Sequence, residues 1–376
     1  MLNNKKILFV IPRMGGGGAE RVTAIIANAM SKNGNNVSIY TLVGGESFYP
    51  LNPAVCYDSV NITVNRKNKI TTFFSEAIAL PKSIYSVWKL IKNERYDIVI
   101  SFLVETDIIV GLCKLFGLKF KHVCSERNDP SRRSKQQLFI LNKIYRNADL
   151  FICQSKSVAK FYKAIPKRIK TVIPNPINSE DIPKRPTKIS KRIVGIGRLT
   201  AQKNFPLLIK SFANIHNEFP EYILEIYGEG ECRGQLESLI KKLNMSGRVI
   251  LKGACQDVQT LVSDAALFVL SSDYEGFPNV LLEAIAIGLP VISTDFATGV
   301  ARELIGDENG IIVPVGDEKL MTGAIRELLG NDEKRKKMEK NNQEKGKYYY
   351  KNRIVEKWDE ALEGITKTDY NMEIKK

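Results

Sequence analysis

The chain has 376 residues, 44% of them hydrophobic and 26% charged, which predicts a globular protein of about two domains. The formal net charge is +15, and residues 1–176 alone hold 27 Lys and Arg against 11 Asp and Glu. This half therefore favours an anionic partner, whether nucleic acid, an anionic membrane surface or a phosphorylated substrate; the alternative is a solvated basic surface without a partner. Two histidines exclude a His-rich metal site, and the longest apolar stretch, 98–117, is too interrupted by charges to span a membrane.

Short apolar strands alternate with segments of helical period along the first half. The predicted strands are 5–12, 36–42, 96–102, 121–126 and 148–155, and a helix over 19–34 ends at Gly34. Such alternation predicts a parallel sheet covered by helices on both faces.

The proline-rich segment 171–191 interrupts this pattern and predicts an extended linker, because proline restricts itself and the residue before it. The pattern then restarts, with strands predicted at 192–199, 222–228, 248–253, 265–272, 290–295 and 310–315. The fold class is therefore α/β, with two doubly wound Rossmann-like domains, 1–176 and 177–350, and a ligand cleft between them. The last segment, 351–376, carries an apolar helical stripe, and we expect it to pack back on the first domain.

The cysteines and the N-terminus predict a cytoplasmic protein. No C-x-x-C pair occurs among the six cysteines, which favours reduced thiols. The apolar run at 7–12 is too short for a secretion signal.

Loops at the carboxyl ends of the strands are the expected ligand site of such sheets. In the loop 12–20, four glycines precede a helix, which suits a phosphate because the backbone can approach it and the helix offers free N–H groups. A dinucleotide fingerprint is not formed, because Glu20 or Arg21 stands where its third glycine would be. A merely flexible turn is the alternative.

The loop 195–205 carries two cations, Arg198 and Lys203, after the first strand of the second domain. Arginine offers a fork of donors and lysine a point charge, and together they can hold a diphosphate. Two further loops, 227–231 and 252–258, could present backbone groups to a ligand, although each alone is equally compatible with a simple turn.

Two glutamates lie in the otherwise apolar stretch 271–292. Glu275 falls in a predicted loop and Glu283 early in the following helix, where the positive end of the helix favours their ionised form. Carboxylates there can accept hydrogen bonds from hydroxyls, and a sugar nucleotide offers hydroxyls on its hexose and on its ribose. The alternative is a helix-capping carboxylate and a salt-bridged one.

Taken together and in order, the segments GGGGAERV, GIGRLTAQKN, YGEGE and EGFPNVLLE resemble glycosyltransferase family 4. This family comprises retaining, nucleotide-sugar-dependent enzymes with the GT-B fold, and the chain is similar to bacterial members that extend lipid-linked or cell-surface glycans. The resemblance covers nearly the whole chain, including ICQSKSVAKFY and VIPNPI before the linker.

The resemblance implies a role for each matching position. Arg198 and Lys203 would neutralise the diphosphate leaving group, Glu275 would lie near the donor sugar, and Glu283 would bind the ribose. The implied substrate-binding residues are Gly17, Gly18, Arg198, Lys203, Gly228, Glu229, Cys255, Val258, Glu275, Gly276, Phe277, Pro278, Asn279, Val280 and Glu283. The implied catalytic residues are Glu275, Arg198, Lys203 and Glu126.

The chain departs from the family at one place. Many relatives carry a histidine after a late strand of the first domain, near the reacting sugar, whereas the strand 121–126 ends here in Glu126, and His122 comes too early. We expect Glu126 to face the reacting groups, together with Arg127 or Asn128. Capping of the next helix is the alternative.

The implied activity is transfer of a hexose or N-acetylhexosamine from a nucleotide sugar, expected to be UDP-linked, to a glycan acceptor, expected to be lipid-linked. Retention in this family is thought to proceed by front-side attack. The sequence contains no D-x-D motif, so we expect no metal and no cofactor besides the donor. The alternatives are a sugar-nucleotide epimerase of similar fold, which needs no acceptor, and a basic nucleic-acid-binding protein, whose affinity would fall steeply with salt.

The basic first domain is expected to meet an anionic membrane surface rather than nucleic acid, which would place the protein on the inner face of the plasma membrane. Its segment 65–92 mixes Lys and Arg with apolar side chains, a composition that can lie on such a surface. These apolar side chains are Phe73, Phe74, Ile84, Val87 and Trp88. Ordinary core packing of the same side chains is the alternative.

Overall fold

The computed structural model describes residues 2–60 and 69–373, with side chains described in 2–60 and 80–367. The chain divides into two compact units. The N-terminal unit is Met1–Pro176 with Lys351–Lys376, and the C-terminal unit is Ile177–Tyr350.

The N-terminal unit is built on a parallel sheet. Its described strands are β1 (Lys6–Ile11), β2 (Asn36–Thr41), β3 (Cys56–Ser59), β4 (Ile98–Phe102), β5 (Lys121–Glu126), β6 (Leu150–Cys153) and β7 (Lys170–Val172), in the order β3-β2-β1-β4-β5-β6-β7. The helices before the linker are α1 (Gly18–Lys32), α2 (Lys69–Glu94), α3 (Val104–Leu115), α4 (Lys135–Asn147) and α5 (Lys156–Phe161). β4 is buried along its whole length, which explains why the central strands form continuous apolar runs.

The two edge strands of this sheet differ from the sequence prediction. No strand was predicted at β3, and most of β7 falls inside the predicted linker. Neither strand contains a fully buried residue, so neither has the apolar run that marked the inner strands.

The segment proposed to lie on a membrane forms part of α2, but residues 61–68 and the side chains of Phe73 and Phe74 lie outside the described part of the chain. Val87 is fully buried, and Ile84 and Trp88 pack against the same apolar cluster. The described apolar side chains of this stripe are therefore core, as the alternative interpretation held.

The C-terminal unit contains a second parallel sheet. Its strands are β8 (Arg192–Ile196), β9 (Ile223–Tyr227), β10 (Val249–Gly253), β11 (Leu267–Leu270), β12 (Val291–Thr294) and β13 (Gly310–Val313), in the order β10-β9-β8-β11-β12-β13. Its helices are α6 (Phe205–Ala213), α7 (Arg233–Lys242), α8 (Val258–Val262), α9 (Asn279–Ile287), α10 (Val300–Leu304), α11 (Glu318–Leu329) and α12 (Asp332–Gly346). Chain order reverses between β8 and β11, the position where ligands bind in open sheets of this kind.

The last helix, α13 (Lys351–Glu373), packs into the N-terminal unit. Ile354, Trp358 and Leu362 are fully buried in its main apolar cluster. The Trp358 ring stacks on Phe102 at the end of β4, with ring centroids 6.0 Å apart. Among the described helices, none combines the length and the apolar character that a membrane crossing requires.

Candidate active site

The predicted site residues of the C-terminal unit follow the carboxyl ends of four neighbouring parallel strands. Arg198 and Lys203 follow β8, and Gly228 and Glu229 follow β9. The remaining ones follow β10 and β11, which flank these two strands in the sheet order. Parallel strands end at the same edge, so the fold brings together segments that are up to 85 residues apart in sequence (198–283).

Glu275 has the partner that a buried carboxylate needs. Lys203 Nζ lies 2.6 Å from Glu275 Oε1, and the two side chains are 13% and 10% exposed. Ser272 Oγ donates to the same oxygen at 2.8 Å, and Gln202 Nε2 donates to Oε2 at 3.3 Å. Thr298 Oγ1 donates to the main-chain carbonyl of Glu275 at 3.0 Å. Hydrogen bonds from three other residues thus hold Glu275 in place, and Glu275 in turn holds the ammonium group of Lys203.

Arg198 differs from Lys203, because it is exposed and its side chain forms no hydrogen bond or ion pair with the described residues. The preceding Gly197 has a φ of +154°, and a Cβ there would come within 2.7 Å of Lys203 Cε. A side chain at position 197 would therefore occupy the space through which the Lys203 side chain passes. The result is one fixed and one free cation at the end of β8, with donors left for an anion.

The loops after β8 and β9 are in direct backbone contact. Gly228 has a φ of +144°, and a Cβ at this position would lie 1.9 Å from Gly197 O. Leu199 N donates to Glu229 O at 2.8 Å, and Gly228 N donates to Gly253 O at 2.8 Å. These contacts fix the position of the loop that carries Arg198 relative to the loop after β9.

Glu283 lies within α9, is 6% exposed, and accepts a hydrogen bond of 2.8 Å from Gln259 Nε2. The residue at the N-cap of α9 forms no side-chain capping hydrogen bond, so the alternative of a capping carboxylate at that position does not hold. Pro278 occupies the position just before the first residue of the helix, Asn279. The start of a helix carries a partial positive charge, which favours an anion there.

The other predicted binding residues of this unit line the same edge. Gly276, Phe277, Asn279 and Val280 are partly exposed around the start of α9. Cys255 and Val258 are partly exposed in and after the loop that follows β10. Glu229 is exposed and pairs with Arg233 at 2.7 Å.

Gly17 and Gly18 stand at the start of α1, which has no side-chain cap. A Cβ at Gly17 would come 2.3 Å from Glu20 Oε2, so a carboxylate occupies the space beside this glycine. A phosphate approaching Gly17 would meet that negative charge. The predicted contact of these glycines with the donor phosphates remains a prediction.

Glu126, the predicted catalytic residue of the N-terminal unit, is held by partners within that unit. It is 0% exposed at the end of β5. Tyr162 OH donates to Oε2 at 2.5 Å, while Arg133 Nη2 and Asn128 N donate to Oε1 at 2.9 and 3.0 Å. Burial beside this carboxylate raises the pKa of Tyr162. These partners fix the carboxylate at the end of β5, and the catalytic role expected of Glu126 stays a prediction.

His122, the other residue considered in this strand, is also buried. It is 1% exposed within β5, and its Nε2 lies 3.0 Å from Ser101 Oγ. Burial lowers the pKa of His122 to about 3, so the ring is neutral at neutral pH.

Sequence reasoning missed the residues that orient the two glutamates. Gln202 lies inside the GIGRLTAQKN segment beside Lys203, and this proximity was its only signal. Ser272 and Gln259 have no distinguishing pattern, because their contacts depend on the packing of neighbouring strands and helices. The described residues contain no group of three His, Cys, Asp or Glu side chains placed to hold a metal ion.

Two family models match the chain. Glycosyltransferase Family 4 matches residues 16–181, and Glycosyl transferases group 1 matches residues 178–345. The chain therefore belongs to the glycosyltransferases that these models define, and the predicted resemblance is confirmed.

Two similar proteins are bacterial glycosyltransferases. One is the GalNAc-alpha-(1->4)-GalNAc-alpha-(1->3)-diNAcBac-PP-undecaprenol alpha-1,4-N-acetyl-D-galactosaminyltransferase of Campylobacter jejuni, 29% identical, with 94% of this chain and 97% of that protein covered. Another is the amylovoran biosynthesis glycosyltransferase AmsD of Erwinia amylovora, 26% identical, with 92% and 96% covered.

Solved structures share the fold. Sucrose-phosphate synthase from Thermosynechococcus elongatus superposes with a TM-score of 0.82 at 18% identity, covering 97% of this chain and all of that chain (100%). Anabaena Alr3699/HepE in complex with UDP-glucose gives 0.75 at 18% identity, covering 96% and 100%. The prediction of the α/β class, with two Rossmann-like sheets in a GT-B fold, is confirmed.

Proposed function

We propose that this glycosyltransferase moves a hexose or N-acetylhexosamine from a UDP-sugar to a lipid-linked glycan, with retention of anomeric configuration and without a metal ion. The observation that carries the proposal is the ion pair of Lys203 with Glu275 beside the free Arg198, at the carboxyl edge of the C-terminal sheet. Two similar proteins support the substrates: the Campylobacter relative is named for an undecaprenol-linked acceptor, and the Anabaena protein was solved with UDP-glucose.

The chemistry requires positive charge at the leaving group. Breaking the bond between the sugar and the diphosphate builds negative charge on the departing oxygen, and preorganised cations stabilise it in the transition state. Lys203 is preorganised by Glu275, and Arg198 has a free guanidinium fork. The start of α9 adds a positive helix end.

The two glutamates provide acceptors for sugar hydroxyls. Glu275 Oε2 has a long contact with Gln202 and Glu283 Oε2 a shorter one with Gln259, so both carboxylates are oriented before a ligand arrives. We assign Glu275 to the donor sugar and Glu283 to the ribose. The cations take the electrostatic role that a metal ion has in other glycosyltransferases.

A panel of nucleotide sugars tests the proposal. We expect one UDP-sugar to raise the melting temperature by several degrees, because binding to the folded state alone stabilises by about 2.7 kcal/mol at a hundred-fold excess over Kd. The same ligand should be hydrolysed slowly without an acceptor. Conversion of that ligand to an isomer would instead support an epimerase, and a panel without any stabilising ligand would contradict the proposal.

We further propose that the basic N-terminal unit brings the protein to the inner, anionic face of the plasma membrane. Residues 1–176 carry the charge excess, and the acceptor of a similar protein is named as undecaprenol-linked. Vesicles containing anionic lipid should therefore cosediment the protein at low salt, and neutral vesicles should bind less. Equal, negligible binding to both would remove this part of the proposal.

A further inference from the structure

Two polar side chains end neighbouring strands at the carboxyl edge of the N-terminal sheet. Arg127 directly follows β5 and Gln154 directly follows β6. The register of the two strands pairs Glu126 with Cys153, so Arg127 and Gln154 emerge side by side.

Arg127 is buried without a counter-ion. It is 7% exposed, and its Nε donates to Ser125 Oγ at 2.9 Å and its Nη1 to Asn175 Oδ1 at 2.6 Å. Both acceptors are neutral, and Nη2 has no hydrogen-bond partner. No carboxylate in the described part of the chain pairs with this guanidinium. The Cζ atom of Arg127 lies over the rings of Phe102 and Trp358, 5.5 and 5.7 Å from their centroids.

The acids nearby are directed elsewhere. Glu126 pairs with Arg133 at 2.9 Å, and Asp129 Oδ1 accepts hydrogen bonds from the backbone N–H and hydroxyl of Ser131. Burial lowers the pKa of Arg127 to about 10, which leaves it protonated at neutral pH. Glu126 thus has a cationic partner in Arg133, whereas Arg127 has no anionic partner among the residues that the structure describes.

Gln154 is also a buried polar side chain without hydrogen-bond partners among the described residues, although it carries no charge. It is 1% exposed, and neither its amide nitrogen nor its amide oxygen has a hydrogen-bond partner. Unpaired buried polar groups are costly, and a buried charge without a partner more so. Two such groups on adjacent strands are typical of a site that a ligand completes.

We propose that Arg127 binds a phosphate of the acceptor, with Gln154 beside it as a second hydrogen-bonding group. This assignment rests on the proposed function. An arginine fork suits a phosphate, and the donor diphosphate already has two cations in the C-terminal unit, Arg198 and Lys203. The N-terminal residues also carry the whole charge excess of the chain.

A purely structural role is the competing explanation. The guanidinium lies against Trp358 of α13, and a cation–π contact could fix that helix to the sheet. This role predicts loss of stability in variants of Arg127 but no response to a phosphate ligand.

Tryptophan fluorescence separates the two explanations. The chain has two tryptophans, so Trp88→Phe leaves Trp358, next to the guanidinium, as the single reporter. We expect inorganic pyrophosphate, added with UDP at saturation to occupy the donor site, to change this fluorescence saturably. In the same background Arg127→Gln should weaken the pyrophosphate response about ten-fold or more, the loss expected for one charge-assisted contact. The exposed Arg146→Gln should leave it unchanged.

An absent response in the folded Trp88→Phe protein would overturn the inference without any variant of Arg127. An equal response in Arg127→Gln would overturn it too. Calorimetric titration with UDP keeps the proposed function separate: UDP binding without a pyrophosphate response refutes only the role of Arg127. If UDP does not bind, the proposed function fails, and pyrophosphate alone still tests Arg127.

Discussion

Replacing Lys203 by alanine should reduce the turnover number by about 10²–10³-fold, the usual effect of removing one preorganised donor from a developing negative charge. The exposed Lys210→Ala, on the following helix, is the matched control and should retain full turnover. Lys203→Ala should also lower the melting temperature, because it leaves Glu275 buried without its cation, a change that typically costs 3–5 kcal/mol.

A double-mutant cycle with Glu275→Ala separates the two effects. The stabilities should be strongly non-additive, since removing both partners leaves no uncompensated charge. Turnover should behave differently if Lys203 contacts the diphosphate: Lys203→Ala should still cost activity in the Glu275→Ala background. If Lys203 serves only to hold Glu275, Lys203→Ala should not change the turnover of the Glu275→Ala protein. Normal turnover of both single variants would reject the site assignment altogether.

Replacing Gly228 by alanine should lower the free energy of unfolding by more than about 2 kcal/mol and weaken UDP binding. The new Cβ would lie 1.9 Å from Gly197 O, and the backbone φ of +144° is one that alanine rarely adopts. The loop carrying Arg198 must then move, so its contact with a diphosphate is lost together with stability.

Gly234→Ala is the matched control for this change. Gly234 lies on α7 with no heavy atom near a built Cβ, so alanine there should raise stability by about 0.5–1 kcal/mol through helix propensity. Chemical denaturation, followed together with UDP titration, measures both quantities. A Gly228→Ala protein that unfolds and binds UDP like the wild type would show that the two loops are not locked as described.

The fold was predictable wherever burial imposes a continuous apolar run. β4 and β11 are buried along their whole lengths, and both were predicted. β3 and β7 were missed because an edge strand packs on fewer sides and tolerates polar residues such as those of Cys56–Ser59.

The site was predictable as a set of loops but not as a set of contacts. Glycines and charges after strands identified Lys203 and Glu275 separately. Their pairing across 72 residues depends on β8 and β11 being neighbours, which a strand pattern does not specify. The contacts of Glu126 were unpredictable for the same reason: its partners Tyr162 and Arg133 come from later segments that the sequence does not mark.

A crystal structure of the protein with UDP tests the central claim most directly. We expect the diphosphate within hydrogen-bond distance of Lys203 and Arg198, and the ribose hydroxyls on the carboxylate of Glu283. UDP bound away from the carboxyl edge of β8 to β11, or with its diphosphate out of reach of both cations, would contradict the account.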